Sequence, residues 1–544
     1  MLAMGRSALD RVVEHLSSLP RQPACGDVDA AALCRALSGP APEEGDELDA
    51  VLAPFFDEWV GRSFTTAGPG YLAYIPGGGL YAAALADLIA DTTNRFTGVW
   101  QAAPALVQLE ADVLDWLAGW MGFPKSTRGL LTSGGSLANF GAIVTARERL
   151  LGPYLRDGVL YASAHAHHCI GKSARLAGVL PDRVRSIGVD DRFRMRTDLL
   201  AEAIAADRAA GLVPFMVVTS AGTTNTGAVD DLHAAADLCA AEGLWHHIDG
   251  AYGGCFHMVP ELRPLLPGLD RADSLVLDPH KGMFLPYGTG ALLVRDGDAL
   301  QAAHAGHAGY LPPASDEFYD PGQYTPELSR PFRGFRLWLS LKLYGARRFR
   351  AALAEKRELA VSAATRIGAL PGVVMTAPPQ LSLFAFHLTW PGASLGDENA
   401  ATAELLARVN ARQRVMITGC TVDGRFLARV CVLSFRTRAR NVDDAVDDVA
   451  ADERDAFVAA WTAATQSIRE RVEGAMGSLL LRDQSDPEVF LAVARWTDRE
   501  RWEAFRKAPS VDPDATAALR RVTAESEVVG LFDELAELTE PTRR

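Results

Sequence analysis

Lys281 stands just after an apolar run, beside His280, in the segment DSLVLDPHKGMFLPYG (273–288). An amine held there can condense with an aldehyde to give an imine. The segment WHHIDGAYGG (245–254) ends a second apolar run on Asp249. A carboxylate in that place can hold a protonated ring nitrogen and so keep the ring an electron sink. In LTSGGSLANF (131–140), Gly134 and Gly135 let backbone approach a ligand closely and Ser136 offers a hydroxyl. A helix starting at that point would add free N–H groups and a positive dipole end, which together make a phosphate cradle. The segment YASAHAHHCIGKSARLAG (161–178) supplies His165, His167 and His168. A ring stacking on a planar ligand suits them better than a metal, because only Cys169 lies at ligand spacing. Taken singly, each stretch has a plainer explanation: an N-cap serine in a tight turn, a helix-cap aspartate, a surface lysine. The order and spacing of all four together are far more specific.

The elements that must position these residues are legible as a change of pattern. Residues 1–100 read as helical and irregular, with a break at Gly77, Gly78 and Gly79. Residues 104–121 place Leu106, Leu109, Val113, Leu114, Leu117 and Trp120 at helical spacing, stopped by Gly122 and Pro124. From 129 to 295 short apolar strands alternate with helices. Strands are expected at 129–132, 159–163, 184–189, 215–220, 244–249, 274–277 and 290–294, with helices such as 137–151 and 231–242 between them. That alternation predicts a mostly parallel sheet covered on both faces, with ligands bound beyond the carboxyl ends of its strands. A Pro-, Gly- and Tyr-rich loop at 300–330, a long helix at about 334–369 and a smaller strand–helix region at 370–450 follow. The acidic run from Asp443 to Asp455 marks a boundary, as a solvated helix face or a linker. The expected domains are 1–100, 101–335, 336–450 and 452–544.

Composition narrows the function classes. The chain has 544 residues, a formal net charge of −14 and 48% hydrophobic residues. Such a length calls for several cores, and such a charge disfavours nucleic acid and anionic membrane as partners. No apolar run suits a signal peptide or a membrane span. Seven scattered cysteines with no CxxC pair point to reduced thiols in a cytoplasmic protein without a metal site.

The stretches DPHK, HIDGAYGG, SAGTTNTGAVDD (220–231) and SRPFRGFRLW (329–338) together resemble the group II pyridoxal-phosphate decarboxylases, which act on aromatic amino acids, histidine or glutamate. The resemblance covers about residues 5–450. It implies pyridoxal 5'-phosphate as cofactor and an α/β fold of the aspartate-aminotransferase type (fold type I). It further implies a homodimer with sites at the subunit interface. By the same resemblance Lys281 is the Schiff-base lysine, Asp249 the partner of the pyridine nitrogen and His167 the stacking imidazole. Thr224 and Ala251 lie against the cofactor, and Gly134, Gly135 and Ser136 hold its phosphate, with Asp278 and His280 alongside. Asp278 departs from the asparagine common in aromatic-amino-acid decarboxylases, and an acid there would repel a phosphate unless neutralised. A loop tyrosine protonates the carbanion in this family. Tyr319 and Tyr324 are the leading candidates here, with Tyr310 a third. Phe318 adjoins Tyr319 and opens an alternative, since a Phe in the tyrosine's role diverts the carbanion to oxygen and gives an aldehyde. In YLAYIPGGG (71–79), Tyr74, Ile75 and Pro76, with Phe96 on the next segment, are expected to line an apolar pocket for an aromatic or bulky L-amino acid. The expected reaction is loss of the α-carboxylate as CO₂, leaving a carbanion delocalised into the pyridinium, then reprotonation to an amine.

Residues 452–540 extend beyond such a decarboxylase. Helix 454–472, strands 478–482 and 489–496, helix 498–507, a weaker helix and a final strand near 526–532 are expected. The stretch 478–507 resembles antibiotic-biosynthesis-monooxygenase-like ferredoxin folds, with a structural or dimerising role. No His follows His387 and no Asn follows Asn441, so the Asn/Trp/His set of haem-degrading relatives is absent. Two other readings stand beside decarboxylation: an aminotransferase, and a catalytically silent scaffold whose C-terminal module binds a partner.

Overall fold

The computed structural model describes residues 1–26, 30–152, 155–306, 309–315, 317–483, 489–521, 523, 526 and 528–529. The chain divides into two compact units: residues 1–368, 374–387 and 399–449 form the first, and 369–373, 388–398 and 450–544 the second.

The first unit is built on a seven-stranded sheet. Its strands are β1 (Arg128–Thr132), β2 (Gly158–Ser163), β3 (Val184–Ile187), β4 (Val213–Ser220), β5 (Trp245–Asp249), β6 (Ser274–Leu277) and β7 (Gly290–Val294), in the order β1-β7-β6-β5-β4-β2-β3. β2 pairs in parallel with β3 and β4, β4 with β5, and β5 with β6. The exception to a parallel sheet is β7, which runs antiparallel between β1 and β6. Every residue of β2, β6 and β7 is buried. Their near-continuous apolar sequence follows from helices covering both faces. One core holds Leu131, Ile248, Leu275, Leu277 and Leu293 with Leu114, Leu117 and Phe256, and the other holds Leu130, Leu160, Met216, Val218 and Leu292 with Ala138, Ala142 and Ile170.

Because β1, β4, β5 and β6 run the same way, their carboxyl ends meet along one edge. Thr132, Ser220, Asp249 and Leu277 are those end residues. A second sheet of β8 (Val373–Met375), β9 (Leu383–Leu388), β10 (Thr418–Val422) and β11 (Arg425–Cys431) has the order β10-β11-β9-β8. The long helix Arg333–Gly368 breaks at Gly345, whose φ of 72° takes the chain out of helical geometry.

In the second unit, β12 (Ala475–Arg482) and β13 (Phe490–Trp496) form an antiparallel pair with Leu479 opposite Val493, and helices Arg499–Lys507 and Pro513–Arg521 follow. One helix, Ala439–Arg471, runs unbroken through the acidic stretch. The final strand expected near 526–532 lies for the most part outside the described residues.

Helix Pro104–Trp120 brings Glu110 against Arg330, and both side chains are fully buried. The other Glu110 oxygen accepts the Gly334 N–H at 3.2 Å. Removing one partner of a buried ion pair strands the other charge. Glu110→Gln should therefore cost about 3–5 kcal/mol, read as a lower denaturant midpoint for the first unit. An unchanged midpoint would show that the pair is not structural.

Candidate active site

Loops leaving the shared strand edge enclose a cavity of about 380 Å³, within the range of roughly 300–1,000 Å³ usual for small-molecule sites. Gly134, Gly135, Ser136, His167, Thr224 and Asp249 line it, and so do Ala251, Asp278, His280 and Lys281. All ten residues expected around a cofactor thus converge, though they come from five separate segments of chain.

The turn after β1 leads directly into helix Gly135–Leu150. A Cβ on Gly134 would lie 3.3 Å from His280 Cε1, and one on Gly135 3.0 Å from Asp278 Oδ2 and 3.2 Å from the Ala251 methyl. Glycine therefore keeps open the space in front of the helix N-terminus, where free N–H groups and the dipole favour an anion. Asp278 follows β6 and is 2% exposed. Its Oδ2 lies 2.8 Å from Lys281 Nζ and 3.6 Å from His280 Nε2, while its Oδ1 has no hydrogen-bond partner among the described residues. Burial by itself would lower the Lys281 ammonium, but Asp278, and beyond it Asp249, outweigh that and hold it above its ordinary value. Asp249 Oδ1 accepts the Ala251 N–H at 3.1 Å, and Oδ2 accepts from Asn139 Nδ2 at 3.2 Å. Burial keeps His167 below the usual histidine range, against the pull of Asp249, so its ring is neutral at pH 7 and presents a π-face. No cluster of metal-ligating side chains exists among the described residues.

A primary amine, a carboxylate beyond a strand end, a neutral imidazole and a glycine-walled anion cradle fit pyridoxal phosphate. Asp278 would oppose the phosphate, but the Lys281 ammonium stands beside it to offset its charge.

Tyr319 and Tyr324 lie elsewhere. Tyr319 packs against the core, stacks on Tyr324 at 5.3 Å and donates its hydroxyl to the Gly129 carbonyl at 3.1 Å. Burial pushes its hydroxyl well above the ordinary tyrosine value, and it does not line this cavity. Phe318 stacks on Trp100 at 4.6 Å. Tyr310 is 78% exposed. The segment 74–79 runs beside the lysine turn, and a Cβ on Gly77 would run into the His280 carbonyl. Ile75 is in the core, whereas Tyr74 and Phe96 are exposed, and none of Tyr74, Ile75, Pro76 and Phe96 lines the cavity of its own chain. Tyr74 stacks on Tyr71 at 6.4 Å. Arg436 fixes this segment by donating to the carbonyls of Gly78 and Gly79.

Sequence reasoning missed two residues, Asn139 and Arg429. Asn139 lies one helical turn after Gly135, on the same face, and that spacing was its signal. Arg429 on β11 is 3% exposed. It donates from Nε to the Thr224 carbonyl at 2.7 Å and from Nη1 to Thr418 Oγ1 at 3.2 Å, while Nη2 has no partner among the described residues. No motif announces it.

Fold and site together define a pyridoxal-phosphate enzyme, and comparison with known proteins agrees. Residues 33–389 match the pyridoxal-dependent decarboxylase conserved domain, and the chain belongs to that family. Within it, the chain falls with the aromatic-amino-acid decarboxylases and is a pyridoxal-phosphate-dependent carboxy-lyase. It is 31% identical to the aromatic-L-amino-acid decarboxylase of Bacillus atrophaeus, over 80% of this chain and 92% of the relative. The crystal structure of Oryza sativa TDC with PLP and tryptamine superposes with a TM-score of 0.78 at 27% identity, covering 83% of this chain and 97% of that one. The Rhodiola rosea 4-hydroxyphenylacetaldehyde synthase gives a TM-score of 0.76 at 26% identity, covering 82% and 97%. Residues 445–513 match the antibiotic biosynthesis monooxygenase domain, the extra module expected at the C-terminus.

Gly77→Ala should force the 74–79 segment away from the lysine turn. We expect a folded protein whose pyridoxal-phosphate dissociation constant rises at least about tenfold, the cost of 1.4 kcal/mol of lost fit, as read by absorbance titration. Unchanged affinity would mean that the two segments move apart freely.

Proposed function

We propose that this protein decarboxylates an aromatic or other bulky L-amino acid to its amine, with Lys281 as the lysine that carries the cofactor. The observation behind this reading is the convergence of Lys281, Asp249, His167 and the glycine cradle in one cavity. When bound, pyridoxal phosphate supplies an aldehyde for the amine and a ring that accepts the electrons left as CO₂ departs. Lys281 must shed a proton before it reacts, and Asp278 at 2.8 Å opposes that loss by stabilising the ammonium. Asp249 would accept from the ring nitrogen of the bound cofactor, and His167 would cover the ring with its imidazole. Arg429 is a buried cation without a carboxylate partner among the described residues, a costly state unless an anion joins it. The substrate carboxylate is that anion in our reading.

Proton delivery to the substrate's Cα we assign to Tyr310, because Tyr319 and Tyr324 are half-buried against the cores, stack on each other and do not line the cavity. The stacking of Phe318 on Trp100 removes it from the tyrosine's role and favours the amine over the aldehyde. Tyr74 and Phe96, exposed on their own chain, are the residues we propose to face the cavity of a second subunit in a homodimer. Seven free cysteines fit a cytoplasmic protein.

A panel of L-amino acids tests the reading, following CO₂, amine, aldehyde and oxygen uptake together, with Lys281→Ala as the blank. CO₂ and amine without oxygen uptake is the expected result. Aldehyde with oxygen uptake would transfer the protein to the oxidative reaction, and no CO₂ from any substrate would sink the proposal. On the best substrate, Tyr310→Phe should lower amine formation by about 10²–10⁴-fold, the usual worth of a positioned acid, and Tyr319→Phe should not.

The raised ammonium of Lys281 has a pH consequence. Below that pKa the neutral amine fraction grows about tenfold per pH unit. The rate of cofactor uptake by the cofactor-free protein should therefore climb across about pH 7–9. Asp278→Asn removes the main stabiliser of the cation, so its rate should be higher at a given pH and its climb should level off at lower pH. Identical profiles for the two proteins would exclude Asp278 as the group that stabilises the ammonium.

A further inference from the structure

β5 alternates Trp245, His247 and Asp249 on one face, and a single line of hydrogen bonds joins them. Trp245 Nε1 donates to Ser274 Oγ at 2.7 Å. Ser274 Oγ meets His247 Nδ1 at 2.8 Å, His247 Nε2 meets Asn139 Oδ1 at 2.8 Å, and Asn139 Nδ2 donates to Asp249 Oδ2 at 3.2 Å. Asn139, His247 and Ser274 are 0% exposed and Trp245 is 6% exposed, so no solvent interrupts the line.

The direction of every proton follows from its ends. An indole N–H can only donate, so Ser274 Oγ accepts and its one hydrogen is free for His247 Nδ1. A carboxylate can only accept, so the amide of Asn139 must turn Nδ2 toward Asp249. The second Nδ2 hydrogen points to Cys169 Sγ at 3.4 Å, which fixes the same orientation. Asn139 Oδ1 is then the acceptor facing His247, and His247 carries its proton on Nε2. Both ends demand the same tautomer. Burial depresses His247 to about 4, so the ring stays neutral and the tautomer is not scrambled by a second proton.

We propose that His247, acting through Asn139, is the positioning residue that keeps Asp249 an ionised acceptor in one orientation for the cofactor's ring nitrogen. The inference rests on the role of Asp249 given above. His247 touches neither cofactor nor substrate. Without its Nε2–H, the Asn139 amide can rotate and present its oxygen to Asp249, and two facing acceptors repel, which displaces the carboxylate.

The test uses the full-length holoenzyme. His247→Leu should weaken pyridoxal-phosphate binding about tenfold and lower kcat about tenfold with KM within about twofold, in the range of couplings between contacting residues. His247→Gln, whose amide can still donate to Asn139, should recover both to within about threefold. In an Asp249→Asn background, His247→Leu should add nothing, because the acceptor it serves is gone. A folded His247→Leu protein with unchanged cofactor affinity and kcat would overturn the proposal, and so would losses that simply add in the double variant. If His247→Leu does not fold, Ser274→Ala decides. It frees the tautomer, leaving a small gap and the Trp245 N–H without its acceptor, and it should weaken cofactor binding about threefold; no change overturns the proposal. If Asp249→Asn by itself leaves cofactor affinity and absorbance unaltered, the reading of Asp249 falls and takes this one with it. If Asp249→Asn is damaging and His247→Leu is not, only the relay falls.

Discussion

The contact between the Lys281 ammonium and Asp278 is the interaction around which the site is arranged. A buried ammonium is tolerable only beside an anion, and a buried carboxylate only beside a cation or donors. The two stand three residues apart on one turn, so a few backbone torsions settle the charge balance of the cavity floor. Everything nearby accommodates that turn: glycine at 134 and 135 where Asp278 and His280 approach, glycine at 77 where the neighbouring segment crosses. Asp249 sits one strand away, near enough to act on the ammonium.

Parallel strands make such an arrangement economical. Chemical groups set at the carboxyl ends of β1, β4, β5 and β6 share an edge without any one loop having to be long. The antiparallel β7 does not disturb this, because it closes the gap between β1 and β6 while adding none of the residues that line the cavity. The same geometry allows support from behind. Alternation along β5 places Trp245 and His247 in the protein interior on the face that carries Asp249 at its mouth.

The cavity was legible in the sequence because each of its residues follows an apolar strand within a short, glycine-marked turn. Strand positions in the large sheet came from continuous apolar runs, a strong signal when both faces are covered. What failed were distances across the chain. Tyr319 and Tyr324 have the right residue type on the right loop, but only packing shows that Tyr319 is tied to the Gly129 carbonyl. Phe96 and Tyr74 have the right apolar character, yet they do not face the cavity of their own chain. Arg429 could not be found by motif, since its meaning depends on its surroundings in three dimensions, where no carboxylate pairs with it among the described residues. The orientation of β7 was likewise invisible, because a short buried strand reads the same in either direction.

The grip of Arg436 on the carbonyls of Gly78 and Gly79 spans 358 and 357 positions of chain. The strap that runs past the lysine turn is thus held by a residue synthesised long after the cofactor pocket has left the ribosome. A nascent chain could complete its cofactor cradle early, yet the neighbouring strap would stay unfastened until the small sheet had formed. On a growing chain the hold of Arg436 on this strap is therefore available only once residue 436 has emerged, long after the strap itself.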